Sequence, residues 1–156
     1  MNIQTEAVQL RHFIASDLAV VYQIGCEKGI AKQLNMPPFQ SEHEAQSFLT
    51  MLQSDEHSWA IVSKKADAVC GLMMLAPNLA QDDVTVESYE LSFAILPQYR
   101  RQGLMTSSLS AVMNAYHDDR ILRSLWRLVL LPIKNQLVVY KKWALPLLIK
   151  RDFLTI

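Results

Sequence analysis

The chain has little of what marks a secreted, metal-bound or membrane-embedded protein. Only two cysteines, Cys26 and Cys70, occur in 156 residues. Neither sits in a CxxC or in a cysteine–histidine spacing, which argues against a disulfide framework and a zinc site. The four histidines, His12, His43, His57 and His117, form no HExxH or other ligand spacing, so surface or capping roles are expected and no metal. Apolar runs such as 128–131 (LVLL) and 143–149 (WALPLLI) fall far short of the roughly 20 residues of a membrane span. The first residues carry neither the basic nor the apolar region of a signal peptide. A reducing cytosol fits this composition best. Basic residues cluster no further than short pairs such as Arg100-Arg101, Lys141-Lys142 and Lys150-Arg151, without the basic stripe and interleaved aromatics of a nucleic-acid binder.

What is present is ordinary for a globular protein: 51% hydrophobic and 19% charged residues, in a length suited to a single domain with a real core. The zero net charge hides an asymmetry. Residues 1–99 hold five Lys/Arg against twelve Asp/Glu, and residues 100–156 hold ten against three. If the halves line opposite ends of one cleft, an anionic ligand belongs against the second and a cationic one against the first. Charges scattered on solvated faces would give the same count.

Taken in order, residues 8–13 (VQLRHF) alternate as a strand. Ser16-Asp17 offers a cap for a first helix over about 17–28, stopped by Gly29. Residues 30–35 form a further short helical turn before Pro37-Pro38. Ser41 and Glu44 have capping-box spacing, and Ala45, Phe48, Leu49 and Leu52 continue as the apolar stripe of a second helix to about 53. Residues 58–63 (SWAIVS) and 69–75 (VCGLMML) read as antiparallel strands joined by a turn at 64–67, followed by a polar loop over 78–83. Strands are also expected at 87–96, 125–131 and 151–156, with a helix over 135–143 despite Val138 and Val139. No internal repeat appears.

The stretch that organises the chain is 89–116 (YELSFAILPQYRRQGLMTSSLSAVMNAY). An apolar strand stops at Pro97, a basic glycine turn follows at Arg100-Arg101-Gln102-Gly103, and apolar residues then recur at helical spacing up to His117. A helix that begins just after such a turn aims unpaired N–H groups and the positive end of its dipole at one point, which suits a phosphate-bearing ligand.

This order of elements, together with Arg100-x-x-Gly103-x-Met105, resembles the GNAT superfamily of acetyl-coenzyme A-dependent N-acetyltransferases, whose loop reads Q/R-x-x-G-x-G/A. Met105 stands where the family usually has a small residue. Gly103-Leu104-Met105-Thr106 after Pro97-x-Tyr99, with LRHFIASDL at 10–18 and MPPFQSEHEAQSFL at 36–49, is similar to the ribosomal-protein N-terminal acetyltransferase branch. The resemblance covers about residues 8–132 and implies an α/β (α+β) fold, a mixed, mostly antiparallel central sheet flanked by helices. It implies acetyl-CoA as co-substrate and a primary amine, a protein N-terminus or a small molecule, as acceptor, with no metal, nucleic acid or membrane.

By the same resemblance, Gln102, Gly103, Leu104, Met105 and Thr106 would turn their N–H groups onto the coenzyme's pyrophosphate, with Arg100 or Arg101 adding charge. The backbone of Phe93, Ala94 and Ile95 would pair with the pantetheine arm like an added strand. Glu90, with Glu87 in reserve, is the candidate base for an acceptor that is mostly ammonium at pH 7, and Tyr140 the candidate acid for the leaving thiolate. A sheet-edge ion pair is the structural alternative for Glu90, and packing the alternative for Tyr140.

After Pro132 the chain departs from the family. Asn135, matched to a coenzyme-binding asparagine, precedes Tyr140 by too little, Trp143-Ala144-Leu145 replaces a Gly-Phe pair, and the C-terminal hairpin is incomplete. A truncated or frameshifted reading frame would explain this, as would a partner subunit, in a homodimer for example, that completes the sheet. A non-catalytic acyl-CoA binder of the same fold is the functional alternative.

Overall fold

The structure is a computed structural model that describes residues 3–79 and 86–115. The expected helix end at His117, the strands at 125–131 and 151–156, the helix at 135–143, and Asn135 and Tyr140 lie outside the described residues.

Five strands form one sheet in the order β1-β2-β3-β4-β5, every neighbouring pair antiparallel: β1 (Ile3–Gln4), β2 (Val8–Arg11), β3 (Ser58–Ser63), β4 (Ala68–Leu79) and β5 (Val86–Ile95). Four helices accompany them: α1 (Leu18–Cys26), α2 (Lys28–Gln33), α3 (Glu42–Ser54) and α4 (Leu104–Ala115). This is the mixed α/β architecture expected from the sequence. No described helix is long and apolar enough to cross a membrane.

Because strand side chains alternate between faces, β3, β4 and β5 each feed two cores. Trp59, Ile61, Met73, Leu75 and Phe93 pack with Leu104, Leu109 and Val112 of α4. Ala60, Leu72, Ala94 and Leu96 pack with Val21 and Ile24 of α1, Ile30 of α2, and Ala45, Leu49 and Leu52 of α3. The alternation slips once. Ile61 pairs with Gly71 but Val62 with Val69, so Cys70 is an extra residue in β4, and the bulge returns its side chain to the α4 face.

Several elements differ from the sequence reading for identifiable reasons. Asp17 does not cap α1 with its side chain. It is buried, accepts from both Arg11 guanidinium nitrogens at 2.7 and 2.8 Å, and accepts from the Ile14 N–H at 2.9 Å. The carboxylate bonded to it raises the Arg11 pKa above its ordinary value. Gly29 does not stop the first helix. The break comes at Cys26, and the Glu27 side chain caps α2 by accepting from Ile30 N–H at 2.6 Å, so Gly29 lies inside α2. The α3 cap is as expected at Ser41, but Glu44 reaches back to the Gln40 N–H at 2.7 Å. β4 runs on through Asn78 to Leu79, where a loop was expected. β3 has already ended opposite Met74, so Pro77 needs to pair only with β5 and its missing N–H costs no second ladder.

Candidate functional site

The site expected from the sequence is the free side of β5 and the turn after it. Antiparallel ladders alternate between residue pairs that exchange hydrogen bonds and pairs that do not. The Leu96 N–H donates to Cys70 O at 2.9 Å, which flanks the Ile95/Gly71 pair and marks it as the second kind. Phe93 opposite Met73, two residues earlier, is of the same kind. Phe93 and Ile95 therefore point their N–H and C=O groups away from β4, and among the described residues no strand lies on that side.

Two side chains reach those outward carbonyls. Gln33 Nε2 donates to Phe93 O at 2.7 Å, and Arg100 Nε donates to Ile95 O at 3.0 Å. The Phe93 side chain is committed to the core under α4, and Ala94 to the opposite core. What these residues offer a ligand is main chain.

The turn is built in two steps. Leu96 O accepts from Tyr99 N–H at 2.9 Å and Pro97 O from Arg100 N–H at 3.2 Å, closing a short 3-10 turn over Pro97–Tyr99. Arg101 and Gly103 then adopt left-handed conformations, φ 62° and 72°. Gly103 O accepts from Ser107 N–H at 2.9 Å, the first full helical bond of α4, so the N–H groups of Leu104, Met105 and Thr106 have no carbonyl one turn back to serve. A Cβ placed on Gly103 would meet nothing within 4 Å. The glycine is thus needed for its backbone angle, and the space beside it suits a bulky anionic group lying against the main chain.

The remaining candidates fall around this frame. Leu104 is buried and anchors α4, leaving only its N–H to the site, while Met105 and Thr106 are half-buried. Arg101, Gln102 and Gly103 are exposed, and Gln102 Nε2 donates to Gln98 O at 3.3 Å. Arg100 turns back along the strand, with its second guanidinium nitrogen 3.7 Å from Glu27 Oε2. Both arginines are exposed, and Arg100 is the one with contacts to the protein, to Ile95 O and Glu27. Glu90 lies opposite Ala76, upstream of Phe93 on the same strand, and Glu87 is the residue skipped where the register shifts between Asn78/Ser88 and Leu79/Val86. No group of three or more metal-ligating side chains occurs among the described residues.

Gln33 and Glu27 were not singled out by sequence reasoning. Gln33 meets Phe93 across 60 residues, and nothing local in Lys28-Gly29-Ile30-Ala31-Lys32 announces it. Glu27 carried a faint signal, an acidic residue three positions before the first buried residue of α2.

Residues 8–131 match the family model described as an acetyltransferase (GNAT) domain. The chain belongs to the GNAT acetyltransferase family. Solved structures of the same fold include an acetyltransferase of this family from Bacillus anthracis (TM-score 0.63, 15% identity, 76% of this chain and 68% of that one). The Salmonella typhimurium acetyl transferase that modifies the N-terminal serine of ribosomal protein L7/L12 is another (0.61, 14% identity, 88% and 80%). Spermidine N-acetyltransferase from Vibrio cholerae, solved with CoA and spermine, is a third (0.56, 16% identity, 72% and 64%). The GNAT chain spans 68% and 64% of the Bacillus and Vibrio proteins respectively. A search of curated protein sequences gives no match.

Proposed function

We propose that this GNAT protein transfers an acetyl group from acetyl-coenzyme A to a primary amine, either a protein N-terminus or a small polyamine-like molecule. The observation that carries the reading is the continuity of the site. The outward carbonyls of Phe93 and Ile95 lead directly into a turn whose left-handed Arg101 and Gly103 open onto empty space and three unpaired helix N–H groups.

When bound, the coenzyme supplies the acyl group activated as a thioester. The main chain of Phe93 and Ile95 holds the arm as an added strand, while Ala94 between them turns its own N–H and C=O to Leu72 of β4. Gln102 through Thr106 hold the pyrophosphate with their N–H groups, and Arg101 supplies a charge-assisted contact. Asn135 belongs to the same coenzyme set. Glu90 takes a proton from the acceptor ammonium, directly or through water, so that the neutral amine can attack the thioester carbonyl, and Tyr140 protonates the thiolate that leaves as the C–S bond breaks. The acidic balance of residues 1–99 favours a cationic acceptor, as does the spermine in the Vibrio neighbour, while the Salmonella neighbour supports a protein N-terminus. A cytosolic location accords with either.

Mass spectrometry of products from the purified protein, acetyl-coenzyme A and a panel of polyamines and N-terminal peptides tests the reading. Acetylated amine is expected, with loss of turnover in Glu90→Gln and Tyr140→Phe. Coenzyme binding without turnover on any amine would make the protein a non-catalytic binder of acyl-coenzyme A.

A further inference from the structure

One outward carbonyl of β5 takes its donor from the end of α2 and the other from the turn after β5, whose arginine faces the start of α2. Gln33, the last residue of that helix, donates to Phe93 O, while Glu27, its N-cap, faces the guanidinium of Arg100 that donates to Ile95 O. Six helical residues span about 9 Å, and two strand residues about 7 Å, so the helix lies alongside the edge with one contact near each carbonyl. Glu27 is at the same time held by the Ile30 N–H, and Ile30 is fully buried, so whatever moves Arg100 or Gln33 pulls on the packing of α2.

We propose that Gln33 and Arg100 form a latch on the coenzyme edge of β5. The carboxamide and the guanidinium occupy the carbonyls of Phe93 and Ile95 until the amide N–H groups of an arriving pantetheine arm replace them, and α2 is released as they leave. The proposal rests on the acetyl-coenzyme A reading above. It assigns Gln33 as a positioning residue that reports the state of the edge to α2, and through α2 to the Asn35–Phe39 segment. That segment is joined to α1 and α2 by the Met36 N–H on Ala31 O at 2.9 Å and the Phe39 N–H on Gly25 O at 3.0 Å. The chemistry of the exchange is balanced: each carbonyl loses one N–H donor and gains another, and the freed carboxamide and guanidinium return to water.

The test compares acetyl-coenzyme A with adenosine 3′,5′-bisphosphate, which carries phosphates but no arm. Hydrogen exchange of the wild-type protein should show amides of residues 28–36 exchanging faster with acetyl-coenzyme A and unchanged with the bisphosphate. In calorimetric titration, Gln33→Leu, which removes the competing donor at similar volume, should bind acetyl-coenzyme A about three- to tenfold more tightly, the scale of one hydrogen bond, and the bisphosphate with wild-type affinity. Unchanged or equally increased protection by both ligands, or weaker acetyl-coenzyme A binding by a folded Gln33→Leu, would overturn the latch and leave the coenzyme site standing. Failure of the wild type to bind acetyl-coenzyme A at all would overturn the functional reading and the latch with it. The exchange measurement needs no variant, so it decides even if Gln33→Leu does not fold.

Discussion

Gly71→Ala should be among the most damaging single-methyl changes available in this protein. A Cβ at that position would lie 2.8 Å from Ile95 Cδ1 and 3.1 Å from Ile95 Cα, with the Ala94 carbonyl oxygen closer still. The Cδ1 can swing away, but the other two atoms are main chain in the β4–β5 ladder, so the strands must part. Overpacking of this kind costs about 1–3 kcal/mol. Losing the Leu96 N–H to Cys70 O bond beside it adds about 1 kcal/mol. A loss of about 2–4 kcal/mol, at a urea slope of about 2 kcal/mol per molar, lowers the unfolding midpoint by about 1–2 M. Gly25→Ala is the control, because there the obstructing atoms belong to the Phe39 ring, a side chain that can rotate, and a smaller shift is expected. A Gly71→Ala midpoint within about 0.3 M of wild type would refute the close approach of the two strands and, with it, the assigned direction of the Phe93 and Ile95 carbonyls.

Three further outcomes follow from the structure. Gly103→Ala meets no atom but must hold φ 72°, so stability should fall by about 1 kcal/mol in thermal unfolding, whereas Gly103→Glu should abolish acetyl-coenzyme A binding in a titration by placing bulk and negative charge at the phosphate turn. Burial pushes the Cys70 thiol from 9.0 to about 11. Below pH 9 folded and unfolded chains both keep that proton, and between pH 9 and 11 only the folded chain does, so stability should fall as pH rises through this window, with a shallower fall in Cys70→Ala unfolding curves. Asp17→Asn leaves the Arg11 guanidinium without its carboxylate and should cost about 2–3 kcal/mol in urea unfolding, with an intact site turn as judged by coenzyme titration.

The parts of the fold that were legible in the sequence are those whose signal is local. β3 was readable to the residue because an apolar run is bounded by Asp55-Glu56-His57 on one side and Lys64-Lys65 on the other. The start of α3 was readable from Ser41 and Glu44, and the turn into α4 from Pro97 and Gly103. What was not legible depends on partners distant in the chain. Asp17 has the residue type and position of a cap, and only the arrival of Arg11 from β2 turns it into half of a buried ion pair. Pro77 argues for a loop until one knows that β3 has already ended beside it. The strand–turn–helix over 89–115 could be read from its own residues, yet the Gln33 and Glu27 contacts beside it come from 60 and 73 residues upstream.

The alternation along β5 carries a consequence for how this protein can vary. Since Phe93, Ala94 and Ile95 spend their side chains on the two cores and only Phe93 and Ile95 turn main chain outward, exchanging one apolar residue for another there alters packing and leaves the groups at the free edge unchanged. Loss or gain of one residue between Val86 and Leu96 does the reverse. It turns the inward rungs outward and the outward rungs inward, as a slipped tooth reverses a zip, while composition and hydrophobicity barely change. The strand is therefore tolerant in spelling and intolerant in length, and which main-chain groups stand at its free edge depends on the parity of its residue count.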